Sequence, residues 1–412
     1  MLNAIWIGFI LVAFLTALYQ FLVGGQANVF ALLMKAVFDS AKLGFEIALG
    51  LTGVMCLWLG VLKIGERAGF LEGLARLLGP LFARLFPGVP KGHPALGSIT
   101  MNMSANMLGL DNAATPIGIK AMKELQELNP NKEVASDAQI LFLVLNASAV
   151  TLLPVTIFTY RAQLGAADPT DVFIPILMAT YASTLAGFLF VSVAQRIRID
   201  AVLLAWVLGM STAVGAIAFY FARLPAESMA ATSALVSNFI LLSIIVVFLL
   251  GALLKRINAY EAFIDGAKDG FQTAVTIIPY LVAMLVAIAM LRASGALGLA
   301  MDAARAGIAG LGFDTRWVEG LPTMLMKPLS GSGARAMMIE TMQTHGADSF
   351  AGRLASIVQG STETTFYVLA VYFGAVGIRR VRHAVAGGLV ADAAGFAAAV
   401  FAAYLFFAHT GG

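Results

Sequence analysis

Apolar residues fall in nine runs of membrane-spanning length: 3–23, 43–63, 138–160, 172–195, 200–222, 231–254, 271–291, 353–376 and 384–408. A helix of about 20 apolar residues crosses the hydrocarbon core. Two further stretches are amphipathic. In 70–86 Leu and Phe share one face while Arg76 and Arg84 occupy polar positions, and 297–312 is a weaker version of it. Both read as helices lying in the membrane interface. Two more stretches, 93–128 and 318–345, mix apolar residues with Gly, Pro, Ser and Asn. Broken backbone at membrane depth survives only where protein or a water-filled cavity satisfies its polar groups. Both therefore read as re-entrant hairpins. The expected fold is an all-α polytopic membrane protein of about nine transmembrane helices.

The chain repeats itself. AKLGF at 41–45 returns as AKDGF at 267–271, and Gly69 and Gly295 follow at the same spacing. NASAVT at 146–151 aligns with QGSTET at 359–364, pairing Asn146 with Gln359, Ser148 with Ser361 and Thr151 with Thr364. Each half reads span, span, interfacial helix, hairpin, span, span, and the span 200–222 lies between the halves. With both hairpins re-entrant, an odd number of crossings separates equivalent points, so the repeats are inverted. Inverted repeats with broken helices at the midplane are a hallmark of secondary transporters. The expected division is one repeat in 1–198, a connecting helix in 199–230 and a second repeat in 231–412.

Composition agrees with a chain that has no room for a separate soluble domain. Of the 412 residues 60% are hydrophobic and 12% charged, about half the charged share of a soluble domain. Mean hydropathy is +0.88. The N-terminus lacks the basic region and small-residue cleavage site of a signal peptide and reads as a retained first span. The net charge of +3 is scattered, which gives no nucleic-acid patch. Cys56, the one cysteine, excludes an internal disulfide and a cysteine zinc site. The four histidines show no metal spacing, and no GxxxxGK[ST], GxSxG or HExxH motif is present. A non-enzymatic role, without cofactor or metal, is expected. Loops on the N-terminal side carry Arg196, Arg198, Lys255, Arg256, Lys268, Arg379, Arg380 and Arg382, whereas the other side carries Lys35, Lys42, Arg161 and Arg223. That bias places the N-terminus in the cytoplasm.

Polar residues inside the apolar mass are the candidate chemistry. In the first hairpin Asn102 and Asn106 share a helix face. Gly109 and Leu110 break the helix, Asn112 suits the cap of the next one, and Thr115 and Pro116 fall in its first turn. In the second hairpin Ser330, Gly331, Ser332 and Gly333 form the break, with Ser332 the expected cap and Arg335 just inside the following helix. Two helix N-termini and an arginine would converge on an anion or a carbonyl oxygen. For each set the bland reading is structural: asparagines that pin a buried turn, and an arginine salt-bridged to Glu363 or Asp392. Glu363 sits ten residues into the span 353–376, about 15 Å deep. An ionisable group there is a functional-site hypothesis by default. Its repeat partner is Val150, so only one half supplies the carboxylate. Glu363 and Asp392 are candidates for carrying a coupling Na+ or H+. Asn146, Ser148, Gln359, Thr362 and Thr364 complete the candidate solute-binding set, and Gln272, Thr273 and Thr276 are weaker candidates that read as interhelical hydrogen bonds.

NMSANMLGLDNAATPIGIKAMKEL resembles the spore maturation A family. PLSGSGARAM and QGSTETTFYVLAVYFGAVGIRRVRHA resemble the spore maturation B family. The chain looks like the two fused in that order, over nearly its whole length. Such proteins are grouped with nucleoside-recognition, or gate, domains, which also occur in concentrative nucleoside transporters and ferrous-iron transporters. In the nucleoside transporters, hairpin amides and a glutamate in a broken helix hold the nucleoside. The resemblance places Asn102, Asn106, Ser332 and Glu363 in comparable elements. It implies a transporter or facilitator of a small polar, nucleoside-like or anionic solute across the bacterial inner membrane. The expected partners are the bilayer, the solute and further copies of the chain. The competing reading is a non-transporting scaffold in cell-envelope or spore-cortex maturation.

Overall fold

A computed structural model describes residues 2–90, 92–197 and 200–408, with backbone alone for residues 2, 111–113 and 226–230. In chain order the helices are α1 (Leu2–Leu22), α2 (Val29–Arg67), α3 (Phe70–Leu85), α4 (Pro94–Met107), α5 (Asp111–Leu128), α6 (Asp137–Ala147), α7 (Val155–Gln163), α8 (Phe173–Gln195) and α9 (Ala201–Ala222). They continue as α10 (Ala226–Leu254), α11 (Ala259–Ala293), α12 (Ala296–Gly310), α13 (Leu321–Met326), α14 (Gly331–His345), α15 (Phe350–Ser361), α16 (Thr365–Gly374) and α17 (Ala384–Phe407). Among the described residues the fold is all-helical, with one isolated bridge between Val134 and Arg380. Seven helices are long and apolar enough to cross a membrane: α1, α2, α8, α9, α10, α11 and α17. Large apolar side chains on the outer helices stay exposed, among them Leu15, Phe38, Phe219, Phe239 and Leu253. In water that surface would be prohibitive, and in lipid it is the expected one. The chain is a multi-pass membrane protein.

Two apolar runs are not continuous helices. The run 138–160 divides into α6 and α7, with residues 148–154 unwound between them. The run 353–376 divides into α15 and α16, with 362–364 unwound. The polar ends NAS and GSTET compete with helix bonding, and Pro154 cannot donate an N–H to continue it. In contrast, α2 and α11 outgrow the spans 43–63 and 271–291.

Small residues let the longest helices touch. A Cβ on Gly270 of α11 would sit 2.7 Å from the Met55 carbonyl oxygen and 2.8 Å from Cys56 Cα on α2. Gly44 meets Val282 at the other end of the same seam, so α2 and α11 run antiparallel. Arg67 closes the seam on Asp265 at 2.6 Å. On the far side of the protein, Gly395 of α17 packs on Thr362 and on Ser183 of α8, and Gly388 packs on Thr365. Close backbone approach of this kind gains dispersion and helix contacts where lipid supplies no hydrophobic drive.

A similar order of elements occurs twice along the chain. Gly69 and Gly295, both in the left-handed region at φ 82° and 76°, start the amphipathic helices α3 and α12. Then come a helical hairpin (α4–α5, α13–α14), a broken helix (α6–α7, α15–α16) and a long helix (α8, α17). Contacts at their ends give directions. Arg382, ahead of α17, pairs with Asp137 at the start of α6 at 2.7 Å, and the Gln195 amide at the end of α8 donates to the Asp137 carbonyl at 2.9 Å. At the opposite pole, Arg161 of α7 pairs with Asp171 ahead of α8 at 2.8 Å and donates to the Ala347 carbonyl ahead of α15 at 2.7 Å. The broken helix of one half thus runs against that of the other, and α8 runs against α17. At the first pole Arg84 also pairs with Asp200, which caps α9 through the Leu203 N–H. That N–H, together with Arg84, holds the Asp200 carboxyl below the usual range.

Candidate functional site

Each hairpin returns to the pole it came from. Asn129 and Gln126, at the end of α5, bond to Gln139 at the start of α6. Glu319, ahead of α13, faces His345 at the end of α14 at 3.4 Å. The tips therefore point inward from opposite poles. At the first tip Leu110 N–H closes onto the Ala105 carbonyl at 2.9 Å. Gly109 sits there at φ 71°, and a Cβ on it would fall 2.6 Å from the Leu153 carbonyl oxygen. Both the dihedral and the close approach require glycine.

The unwound segments dock on the tips through main-chain bonds. Leu152 N–H donates to the Met107 carbonyl at 2.8 Å, and Phe366 N–H donates to the Pro328 carbonyl at 3.0 Å. The two segments also meet each other, where Glu363 N–H donates to the Ala147 carbonyl at 2.8 Å. Backbone polar groups freed by the breaks are satisfied in this way.

Between the tips and the breaks lies a cavity of about 760 Å³. Asn106, Thr115, Asn146, Ser330, Ser332, Arg335, Gln359, Thr362, Glu363 and Thr364 line it. Asn102, Ser148 and Asp392 do not, and the side chain of Asn112 lies outside the described residues. Asn102 stands one step behind the wall, where its amide donates to the Ala114 carbonyl at 2.7 Å. Ser148 bonds back to the Val144 carbonyl at 2.8 Å as α6 ends. Asp392 is 2% exposed and accepts from the Thr365 hydroxyl at 2.7 Å, behind the second break.

Two local expectations are corrected. Ser330, not Ser332, caps α14: its Oγ accepts from Gly333 N–H at 3.1 Å, and Ser332 Oγ lies 3.2 Å away. Leu110 occupies the cap position of α5, so Asn112 falls within the first turn. The bland alternative for Arg335, a salt bridge to Glu363 or Asp392, is not what the structure has: Arg335 makes no ion pair among the described residues.

Amides dominate one wall. Asn106 Nδ2 donates to Asn146 Oδ1 at 2.8 Å, and the Tyr372 hydroxyl donates to the same oxygen at 3.2 Å. Asn146 Nδ2 is held by the Phe142 carbonyl at 2.9 Å. This chain of bonds fixes the amides at the cavity wall. Gln359 is 7% exposed, and its Oε1 has no partner among the described residues. Glu363 is exposed to the cavity, again with no side-chain partner among the described residues. Such groups are costly in a membrane unless a solute, ion or water completes them. Lys327, Thr151, Thr156, Tyr280, Tyr367 and Tyr372 also line the cavity. The threonines and tyrosines among them do not stand out in the sequence, because Thr and Tyr in apolar runs ordinarily serve packing and interhelical bonds.

A family model described as nucleoside recognition (Gate) matches residues 48–164 and 274–379, more than half of the chain. The chain belongs to the nucleoside-recognition, or gate, family. The two matched stretches contain both hairpins and both broken helices, which are the walls of the cavity. Spore maturation protein A of Bacillus subtilis (strain 168) is 38% identical over 189 residues, 46% of this chain and 93% of that protein. Spore maturation protein B of the same organism is 44% identical over 174 residues, 41% of this chain and 96% of that protein. This gate protein therefore carries in one chain what those relatives carry in two. No solved structure matches it.

Proposed function

We propose that this gate-family protein is a secondary transporter or facilitator of a small polar solute, nucleoside-like or anionic. The cavity carries the reading. It is walled by two hairpin tips and two helix breaks, and it holds Asn106, Gln359, Arg335 and Glu363 with hydrogen-bonding capacity unspent. In this reading the seven long helices and the two broken ones make nine crossings, and residues 1–198 and 231–412 are inverted repeats joined by α9. The pole that carries Arg196, Lys255, Arg256, Arg379, Arg380 and Arg382 faces the cytoplasm, by the excess of Lys and Arg in its loops. In a bacterium the protein sits in the inner membrane. Glu363 binds the solute or carries a coupling proton or Na+. Asp392, behind the break, tunes that segment through Thr365.

Uptake by proteoliposomes tests this, with labelled nucleosides and small carboxylates as probes. Saturable uptake is expected for one class. Glu363→Gln should lower it about tenfold or more, because a hydrogen bond to a charged group contributes about 1.5–3 kcal/mol. Uptake handled equally by the variant would remove Glu363 from the site. The names of the two spore maturation relatives favour a second reading, a scaffold in envelope or spore maturation without transport. It predicts a maturation phenotype that persists unchanged in the Glu363→Gln variant.

A further inference from the structure

The central cavity adjoins a second one of about 300 Å³, and Thr156 and Arg335 line both. Tyr160 of α7 lines the second cavity beside Arg335. It is only 2% exposed, yet its hydroxyl makes no hydrogen bond to a described residue. A buried phenol ordinarily finds a partner. The Arg335 guanidinium lies within electrostatic reach of it and likewise has no partner among the described residues. Arg335 stands in the first turn of α14. There Ser330 satisfies the N–H groups of Gly333 and Ala334, while those of Gly331 and Ser332 are left over. The positive end of that helix adds to the arginine charge. These groups are donors or positive charge, while the carboxylates of the same cavity are Glu66, paired with Lys63 at 2.9 Å, and Asp269.

We propose that Tyr160, Arg335 and the start of α14 form an oxyanion subsite that takes the carboxylate or phosphate group of the solute. The proposal rests on the reading of the central cavity as a solute site and adds which part of the solute goes where. The remainder of the molecule lies toward Asn106 and Gln359, in a space large enough for an organic body. Glu363 in the same space disfavours a polyanion. The class is an organic anion with one acidic group and a hydrogen-bonding body. Arg335 supplies a planar fork of donors for either oxyanion.

The test uses the full chain in detergent, carrying Cys56→Ser and Thr156→Cys, so that the junction of the cavities holds the one thiol. Its rate of reaction with a small thiol reagent is measured in chloride, phosphate and acetate at matched ionic strength. Phosphate or acetate should slow labelling severalfold relative to chloride, and the stronger of the two identifies the acidic group. Arg335→Gln should abolish the protection, Arg335→Lys should keep part of it, and Tyr160→Phe should weaken it. If Arg335→Gln does not fold, the other two variants still decide. Equal rates in all three salts would overturn the oxyanion subsite and leave a wetted cavity standing. Protection that survives every variant would overturn the assignment to these residues. A folded protein in which the thiol introduced by Thr156→Cys never reacts would overturn both the subsite and the solute-site reading.

Discussion

Asn146 accepts from Asn106 and from Tyr372 while its own amide is tied to the Phe142 carbonyl. Replacing it with Ala leaves two donors beside the cavity without their acceptor. A loss of about 1–3 kcal/mol is expected, the usual cost of orphaning a buried polar group. A thermal melt in detergent should show it, and an unchanged melting temperature would mean that water replaces the amide freely. Asn106, Gln359, Arg335 and Glu363 are legible in the sequence because polar residues inside apolar runs stand out. Tyr160 and Tyr372 are not, since a tyrosine in a span reads as packing until its neighbours are known. Ser330 and Ser332 flank one glycine, and only the backbone geometry decides which of them caps α14.

At the scale of elements, the seam between α2 and α11 depends on the absence of side chains. Gly270→Val would force its β-carbon into the Met55 carbonyl and the Cys56 backbone. Overpacking of this kind costs about 1–3 kcal/mol, readable as a lower melting temperature, whereas Gly307→Ala on α12, where nothing lies close, should change little. The two poles are fastened differently. Arg161 is fully buried and holds Asp171 and Asp348, with Arg353 on Asp171 at 2.7 Å. Arg379 and Glu133 are exposed at 3.6 Å, beside the bridge between Val134 and Arg380. Arg161→Met should therefore cost about 3–5 kcal/mol, and Arg379→Ala about 1 kcal/mol or less. Equal effects on the melt would contradict the distinction. The hairpins are legible because their breaks carry glycine beside asparagine in the first and beside serine in the second. The broken helices read as whole spans, because Ser, Thr and Gly are common in ordinary membrane helices. Pro154 and the polar run at 361–365 are the available signals.

For the whole molecule, the central reading is a cavity enclosed by two opposed hairpins and two opposed broken helices. Short echoes such as AKLGF and AKDGF are the sequence's signal for two halves. Direction comes only from ion pairs that join distant segments, such as Arg382 with Asp137 and Arg161 with Asp171. If the halves rock about the cavity, one wall residue should be reached from each side of the membrane in turn. Ser332→Cys on a Cys56→Ser background places a thiol on that wall. Its labelling by a membrane-impermeant reagent, applied separately to right-side-out and inside-out vesicles, measures this directly. The account predicts reaction from both sides, with the balance shifted by a transported solute. Reaction from neither side, or from one side alone whatever solute is present, would contradict it.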